Sequence, residues 1–308
     1  MDLDKAKPIE IEDKVLFDRF LLEFPPLNSE FTFTNLFIWR DYYDFKFMEY
    51  NDHLLIFSDT YFKKWRKPIS DCENCFLFLT PIGPNPKKMI IDLFKTIKNL
   101  EIHRVVDENF KDITDREEFK TLNLVYQEDR NNWDYVYSKE ELLNLAGNKY
   151  RQKRRWLKKF LEQYDYDFKF LTEDLMDEAL KLQLEWCDQS ECQSHEDLVE
   201  EQKAIQYSFD YFTELGIQGG ILLVDGHCVA YTFGEKLNEN TMVVHIEKAH
   251  ANYEGAYQAI NNFFLKECCK TVKYINREQD LGIPGLRRAK EAYKPICMVE
   301  KSIIYRKS

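Results

Sequence analysis

Glycine and proline are scarce, 10 and 9 in 308 residues. So little of either leaves little room for flexible linkers or disordered tails, and no segment is of low complexity. Long apolar runs are missing as well: none approaches the roughly 20 residues that a membrane-spanning helix needs. The opening stretch, MDLDKAKPIEIEDK, is acidic and has no apolar core. It does not read as a secretory leader, and a soluble, cytoplasmic protein is expected. Cysteine lacks regularity. The eight residues Cys72, Cys75, Cys187, Cys192, Cys228, Cys268, Cys269 and Cys297 show no disulfide-framework spacing and read as ordinary thiols. Cys72-x-x-Cys75 and Cys192-x-x-His195 are the two half-motifs with metal spacing. They lie too far apart for a standard zinc pattern, so no metal is expected.

What the chain does have is apolar material, with 44% hydrophobic and 15% aromatic residues. At this length, two domains of roughly 150 residues each are the natural division. Two stretches support it, because each reads as strand, glycine turn, helix, strand. In the first, Phe76 to Thr80 is an apolar strand, and Gly83 lies in a Pro-Gly-Pro turn. Met89, Ile90, Leu93, Phe94 and Ile97 recur at helical spacing before a strand from Ile102 to Val106. In the second, an alternating strand from Thr241 leads through Asn252-Tyr253-Glu254-Gly255 into a helix with Ala259, Ile260, Phe263, Phe264 and Cys268 on one face. Val272, Tyr274 and Ile275 form the next strand. Each unit continues with a helix and a further strand, Leu122 to Tyr126 in one case and Ile296 to Tyr305 in the other. The order β, turn, α, β, α, β occurs twice, which reads as two copies of one α+β fold, a mixed sheet flanked by helices in three layers. The domains are placed at 1–135 and 136–308.

Other elements follow from local chemistry. Val15 to Phe24 is a helix stopped by Pro25 and Pro26. Phe45 to Tyr50 and Leu54 to Ser58 form a hairpin, and so do Ile217 to Val224 and Cys228 to Glu235 around Asp225-Gly226. Ser138 with Glu141 is a capping box that starts a helix ending near Gly147. Leu175 to Cys187 and Leu198 to Leu215 are amphipathic helices. Trp39, Tyr42, Tyr43, Tyr61, Phe62 and Trp65 either fill a core or line a groove, and core is the more frequent fate of such clusters.

Charge is distributed unevenly. The net charge is −11, which disfavours broad nucleic-acid binding, yet Lys149, Arg151, Lys153, Arg154, Arg155, Lys158 and Lys159 crowd one helical segment, 148–164, without an acid among them. Arg154 falls on the inward stripe of that helix with Tyr150, Leu157, Phe160, Leu161 and Tyr164. The segment is either a solvated face or a site for a polyanion such as tRNA, a nucleotide or a lipid head group.

Three places carry candidate chemistry. A helix N-terminus presents unpaired N–H groups, so the Tyr253-Glu254-Gly255 turn is either an anion site or a plain tight connection. On the strand from Thr241, alternation puts Val243, His245 and Glu247 on one face. His245 or Glu247, with Glu235 from the neighbouring strand, either takes a proton from an attacking group or belongs to a cross-strand polar cluster. Asn276, Arg277, Glu278 and Asp280 follow a strand end, where ligands gather in open α/β sheets. Arg287, Arg288 and Lys290 stand at the start of the next helix, where cations oppose the dipole, so an anion partner or plain solvent must account for them.

These blocks carry a resemblance. FTNLFIWR (Phe33 to Arg40), LTPIGPN (Leu79 to Asn85), DYVYSKEELLNLAGNKYRQKRR (Asp134 to Arg155), FGEKLN (Phe233 to Asn238), VHIEKAHANYEGAYQAIN (Val244 to Asn261) and YINREQDLGIPGLRRAKEAY (Tyr274 to Tyr293) resemble the C-terminal domain family of phosphatidylglycerol lysyltransferases. That family is related to Fem-type aminoacyl transferases and to the GNAT superfamily. The resemblance implies a tandem pair of GNAT-like domains and transfer of an acyl or aminoacyl group to an amine or hydroxyl within a ternary complex; the alternatives are a coenzyme-A-dependent N-acetyltransferase and a non-catalytic descendant that keeps the double fold as a ligand-binding module. No cofactor is required. The implied donor is anionic, the 3′ end of aminoacyl-tRNA or an acyl-coenzyme A, and the acceptor is a small molecule or a lipid head group. The expected catalytic residues are Glu247, His245 and Glu235. Gly255, Tyr253, Asn276, Arg277, Arg288, Lys290, Lys149 and Arg154 are expected to hold the donor or its anion. The GNAT pyrophosphate signature is altered, with Asn252 first and Tyr257 last, which argues against coenzyme A bound in the usual way.

Overall fold

A computed structural model describes residues 1–189 and 196–307. Its strands are β1 (Lys7–Pro8), β2 (Lys46–Tyr50), β3 (His53–Ser58), β4 (Phe76–Leu79), β5 (Leu100–Val106), β6 (Leu124–Glu128) and β7 (Asp134–Ser138). They continue with β8 (Tyr166–Phe170), β9 (Gln218–Val224), β10 (His227–Asn238), β11 (Thr241–Ala249), β12 (Tyr274–Asn276), β13 (Cys297–Val299) and β14 (Lys301–Arg306). Two compact units result, one from Met1–Asp134, Gln279–Ile283 and Met298–Ser308, the other from Tyr135–Glu278 and Pro284–Cys297.

The first unit holds a sheet of order β1-β2-β3-β4-β5-β14-β6. Asn51 and Asp52, both left-handed at φ 48° and 60°, supply the paired positive angles of a tight hairpin turn between β2 and β3. β4 and β5 run parallel, so a crossover must connect them, and helix Pro86–Thr96 does so. The apolar face anticipated on that helix is buried. Met89, Ile90, Leu93 and Phe94 pack with Leu55, Phe57, Phe78, Ile102 and Ile304. The aromatic group is packed volume and not a groove: Tyr42 lies 5.0 Å from Trp65 and Tyr43 lies 5.1 Å from Tyr61 between ring centres.

The second unit repeats the pattern as β13-β7-β12-β11-β10-β9-β8. β11 and β12 are its parallel pair, connected by helix Ala256–Glu267. That helix packs with helix Arg151–Gln163 and with β9 and β10 through Ala259, Ile260, Phe160, Leu222 and Ala230. Read outward from the hairpin side, both sheets have one order, the duplication inferred from sequence.

The division at 135/136 is corrected at the C-terminus. Ile296 to Tyr305 is not one strand of the second half. It breaks at Glu300 into β13 on the second sheet and β14, which enters the first sheet between β5 and β6. Conversely β7, which follows β6 in sequence, joins the second sheet beside β12. Each half therefore lends a strand to the other. Alternation in a sequence gives a strand's faces but not its neighbours, so the exchange left no local trace. Cys72 and Cys75 form a disulfide, which corrects their reading as ordinary thiols. Cys192 and His195 lie outside the described residues. Among the described residues, no group of His, Cys, Asp or Glu is arranged to hold a metal, and no helix is long and apolar enough to cross a membrane.

The borrowed strand β14 begins at a buried charge. Lys301 is fully enclosed, and its ammonium contacts Glu30 Oε2 and Asp134 Oδ1, each at 2.6 Å. Asp134 also accepts from the Ser29 backbone N–H and hydroxyl at 2.7 and 3.0 Å. A network so completely satisfied fixes where β14 starts, since shifting it by one residue would strand a charge. Lys301→Met is expected to cost about 3–5 kcal/mol, because two buried carboxylates lose their cation. Urea denaturation checks this, and Lys301→Met combined with Asp134→Asn should recover part of the loss.

Candidate active site

β11 pairs with β12 for three residues only, Thr241–Val243 with Tyr274–Asn276. Beyond Val243 the two strands part, and a notch opens on the second sheet. On its other side β11 stays with β10, but the register slips: Phe233 faces Ile246 while Gly234 faces Val244, which leaves His245 as an extra, bulged residue. The bulge needs glycine opposite it. A Cβ on Gly234 would lie 2.0 Å from the Val243 carbonyl oxygen.

The bulge aims His245 at two carboxylates. Its Nε2 lies 2.9 Å from Glu235 Oε1 on β10, and its Nδ1 lies 2.8 Å from Glu278 Oε1 just past β12. Burial opposes charge on the ring, but the hydrogen bonds it donates to Glu235 and Glu278 outweigh it and raise the pKa to about 9. At neutral pH His245 is an imidazolium that donates from both nitrogens. In that state the ring donates to both carboxylates and offers no lone pair. The triad Glu235, His245 and Glu278 carries one net negative charge.

Two residues further along β11, Glu247 forms a second bridge across the notch. Its Oε1 meets Arg277 Nη2 at 2.6 Å, and its Oε2 accepts from Asn261 Nδ2 at 2.9 Å. Arg277 stacks on Tyr293, 4.8 Å from guanidinium carbon to ring centre. Lys153 Nζ stands 4.0 Å from the centre of that same ring. Asn276, fully buried, accepts the Glu278 N–H at 2.8 Å, and so shapes the loop that presents Arg277 and Glu278. Lys290 donates to the Arg277 carbonyl, which steadies the loop from the adjoining helix.

The other expected donor residues do not converge here. Gly255 is left-handed at φ 88°, and a Cβ there would lie 2.2 Å from the Trp156 carbonyl oxygen. The close approach it permits is used by helix Arg151–Gln163, so packing accounts for the glycine. Tyr253 packs on Tyr164 at 5.2 Å. Lys149 pairs with Glu141 at 2.7 Å. Arg154, expected on the inward stripe, is exposed and caps the preceding helix through the Leu145 and Gly147 carbonyls. Arg288 is exposed. Asn261 and Tyr293 carry no signal in the sequence, and Glu278 and Lys153 are singled out there only as members of a polar and a basic run. Which member turns inward is set by the helix rotation and the left-handed Glu278 backbone, φ 56°.

The family model described as phosphatidylglycerol lysyltransferase, C-terminal, matches residues 23–305. The chain belongs to that family. Among solved structures, this lysyltransferase-family chain is similar to a conserved protein of unknown function from Bacteroides thetaiotaomicron, at 32% identity and a TM-score of 0.85, covering 97% of this chain and 98% of that one. It is also similar to L-PGS from Bacillus licheniformis, at 14% identity and a TM-score of 0.64, covering 96% and 92%. FemX matches at 9% identity and a TM-score of 0.60, covering 98% and 97%. At these identities, L-PGS and FemX establish the fold alone, a double GNAT-like α+β architecture. An uncharacterised protein of Mycoplasmoides gallisepticum is 23% identical over 184 residues, 56% of this chain and 55% of that protein, so the match spans about half its length. Family membership makes the chain aminoacyl-transferase-like, on a double GNAT-like fold.

Two outcomes check the bulge and its histidine. Gly234→Ala is expected to destabilise the second unit by more than about 2 kcal/mol through overpacking, read by denaturant melting. For His245 the folded pKa lies above the unfolded value of 6.5. Its contribution, about 3 kcal/mol, is therefore complete below pH 6.5 and lost as pH rises through about 9. Stability of His245→Gln measured across that range should lack this decline.

Proposed function

We propose that the chain transfers an aminoacyl group from aminoacyl-tRNA to an amine or hydroxyl acceptor, with the chemistry in the notch between β11 and β12. The observation that carries this reading is the net-negative triad Glu235–His245–Glu278 at the β11 bulge. An aminoacyl ester differs from a simple acyl thioester by its α-ammonium, and a buried cluster with one excess negative charge complements that group. Coenzyme A fits less well. The Gly255 turn departs from the usual pyrophosphate signature, with Asn252 first and Tyr257 last, and the Trp156 carbonyl packs against the glycine.

In the proposed reaction the acceptor nitrogen or oxygen attacks the ester carbonyl, forming the new amide or ester bond. The bond to the ribose oxygen of the tRNA breaks. The acceptor's proton passes to Glu247, whose two oxygens keep lone pairs beyond those given to Arg277 and Asn261, and then to the leaving ribose oxygen. Backbone N–H groups of β11 beyond Val243, where no strand pairs on the notch side, steady the oxyanion. His245 acts by holding Glu235 and Glu278 in place. Family membership and the absence, among the described residues, of a helix able to cross a membrane support a small molecule or a lipid head group as acceptor.

Radiolabelled aminoacyl-tRNAs, lysyl-tRNA first among them, supplied with a panel of amines and hydroxyl compounds test the proposal. Transfer is expected from the tRNA ester and not from acetyl-coenzyme A. Glu278→Gln and Glu247→Gln should each lower kcat/KM by about a hundredfold, whereas Glu162→Gln at an exposed pair should not. Transfer from acetyl-coenzyme A alone, or from no donor while the protein stays folded, would overturn it.

A further inference from the structure

The duplicated fold allows the notch to be compared with its own counterpart. In the first unit the last parallel pair is Leu79 with His103, and in the second it is Val243 with Asn276. The next residue is arginine in both copies, Arg104 and Arg277. Their side chains are almost equally enclosed, 12% and 14% exposed. Both lie among tyrosines, Tyr43 and Tyr61 beside Arg104, Tyr293 and Tyr137 beside Arg277.

The two arginines differ in how their charge is met. Arg104 Nε contacts Glu30 at 2.8 Å and its Nη1 contacts Asp129 at 3.2 Å, two carboxylates for one guanidinium. Arg277 has one carboxylate, Glu247 at Nη2, with Tyr293 as its other polar neighbour, and its buried Nη1 has no partner in hydrogen-bonding geometry. Lys153, half-buried over the same Tyr293 ring, adds a second cation and has no ion-pair or hydrogen-bond partner among the described residues. Burial and the neighbouring Arg277 push the Lys153 pKa down, as expected for a cation lacking its counter-ion. One carboxylate thus faces two half-buried cations where the first copy balances its arginine fully.

We infer that the missing partner is the phosphate group of a small acceptor, bound between Arg277 Nη1 and Lys153 Nζ over the Tyr293 ring, in the place that Asp129 takes beside Arg104. A guanidinium edge and a separate point charge suit a tetrahedral oxyanion, which offers oxygens in both directions. A compact anion suits this point better than a long polyanion because four cations of the same basic segment already have partners: Lys149 with Glu141, Lys158 with Glu162, Lys159 with Glu254, and Arg154 with backbone carbonyls. The phosphate's identity as part of the acceptor rests on the aminoacyl-transfer reading, whereas the anion site does not.

Calorimetric titration at constant ionic strength tests this, with glycerol 3-phosphate, acetate and a short CCA-ending oligonucleotide as separate probes. Glycerol 3-phosphate is expected to bind, and Lys153→Met to weaken it about tenfold or more, with Lys149→Met unchanged. Arg277→Lys, which keeps a cation for Glu247, should weaken it similarly. Equal binding to wild type and Lys153→Met, no phosphate binding at millimolar concentration, or acetate binding as tightly as phosphate would overturn the inference. So would Lys153-dependent binding of the oligonucleotide tighter than that of glycerol 3-phosphate. Phosphate binding without aminoacyl transfer would sink the functional proposal and leave this site standing; transfer without phosphate binding would do the reverse.

Discussion

The notch depends on a missing side chain. Gly234 leaves β10 flat enough for the Val243 carbonyl to come within a distance that any Cβ would forbid, and the strand opposite absorbs the slip by extruding His245. Once His245 is out of register it reaches a carboxylate on each side, one from β10 and one from the loop after β12. Its positive charge makes those carboxylates tolerable in a buried place. Without the slip, plain alternation would govern which β11 side chains meet the loop after β12. A steric detail of one strand therefore sets the electrostatics of the whole site.

Duplication explains why one copy has an open notch. Both sheets end their parallel pair just before an arginine, so the buried cation is a property of the fold. The first copy meets Arg104 with Glu30 and Asp129 and draws Glu30 further into a network with the fully buried Lys301. Arg104 and Lys301 also hold the Glu30 carboxyl below its usual range, against the opposing effect of burial. That network is saturated, which suits a structural role. In the second copy the same backbone position keeps a donor unmatched. Divergence between the halves amounts to a change in who supplies the counter-charge.

Much of the fold was legible because its signals are local. The N-cap at Ser138 is realised, its hydroxyl accepting the Glu141 N–H at 3.3 Å, whereas the Glu141 carboxylate turns to Lys149 and Tyr150 instead of closing the box. Asp225 and Gly226 adopt the paired positive angles their hairpin needs. The periodicity of the helix after β4 survives in the buried set Met89, Ile90, Leu93 and Phe94. Strand membership was not legible, because β14 finds its partners nearly two hundred residues away and nothing in its own alternation names them. For the site, Glu235, His245, Glu247 and Arg277 could be read from alternation and from position after a strand. Their pairings could not, since a bulge shifts each face by one residue. Gly255 was ambiguous for a related reason: a left-handed glycine before a helix looks the same in sequence whether a ligand or a neighbouring helix fills the space.

The exchanged strands also constrain how the protein is made. While the ribosome is still adding residues near 300, the first sheet has β5 and β6 but a gap where β14 belongs, so two strand edges stand bare and the Asp134 and Glu30 carboxylates wait without their ammonium. The N-terminal half cannot mature as it emerges, unlike the usual order of co-translational folding. Its completion waits for residues 301–306, and a nascent chain cut short before them leaves an adhesive, half-built sheet for chaperones and proteases to recognise.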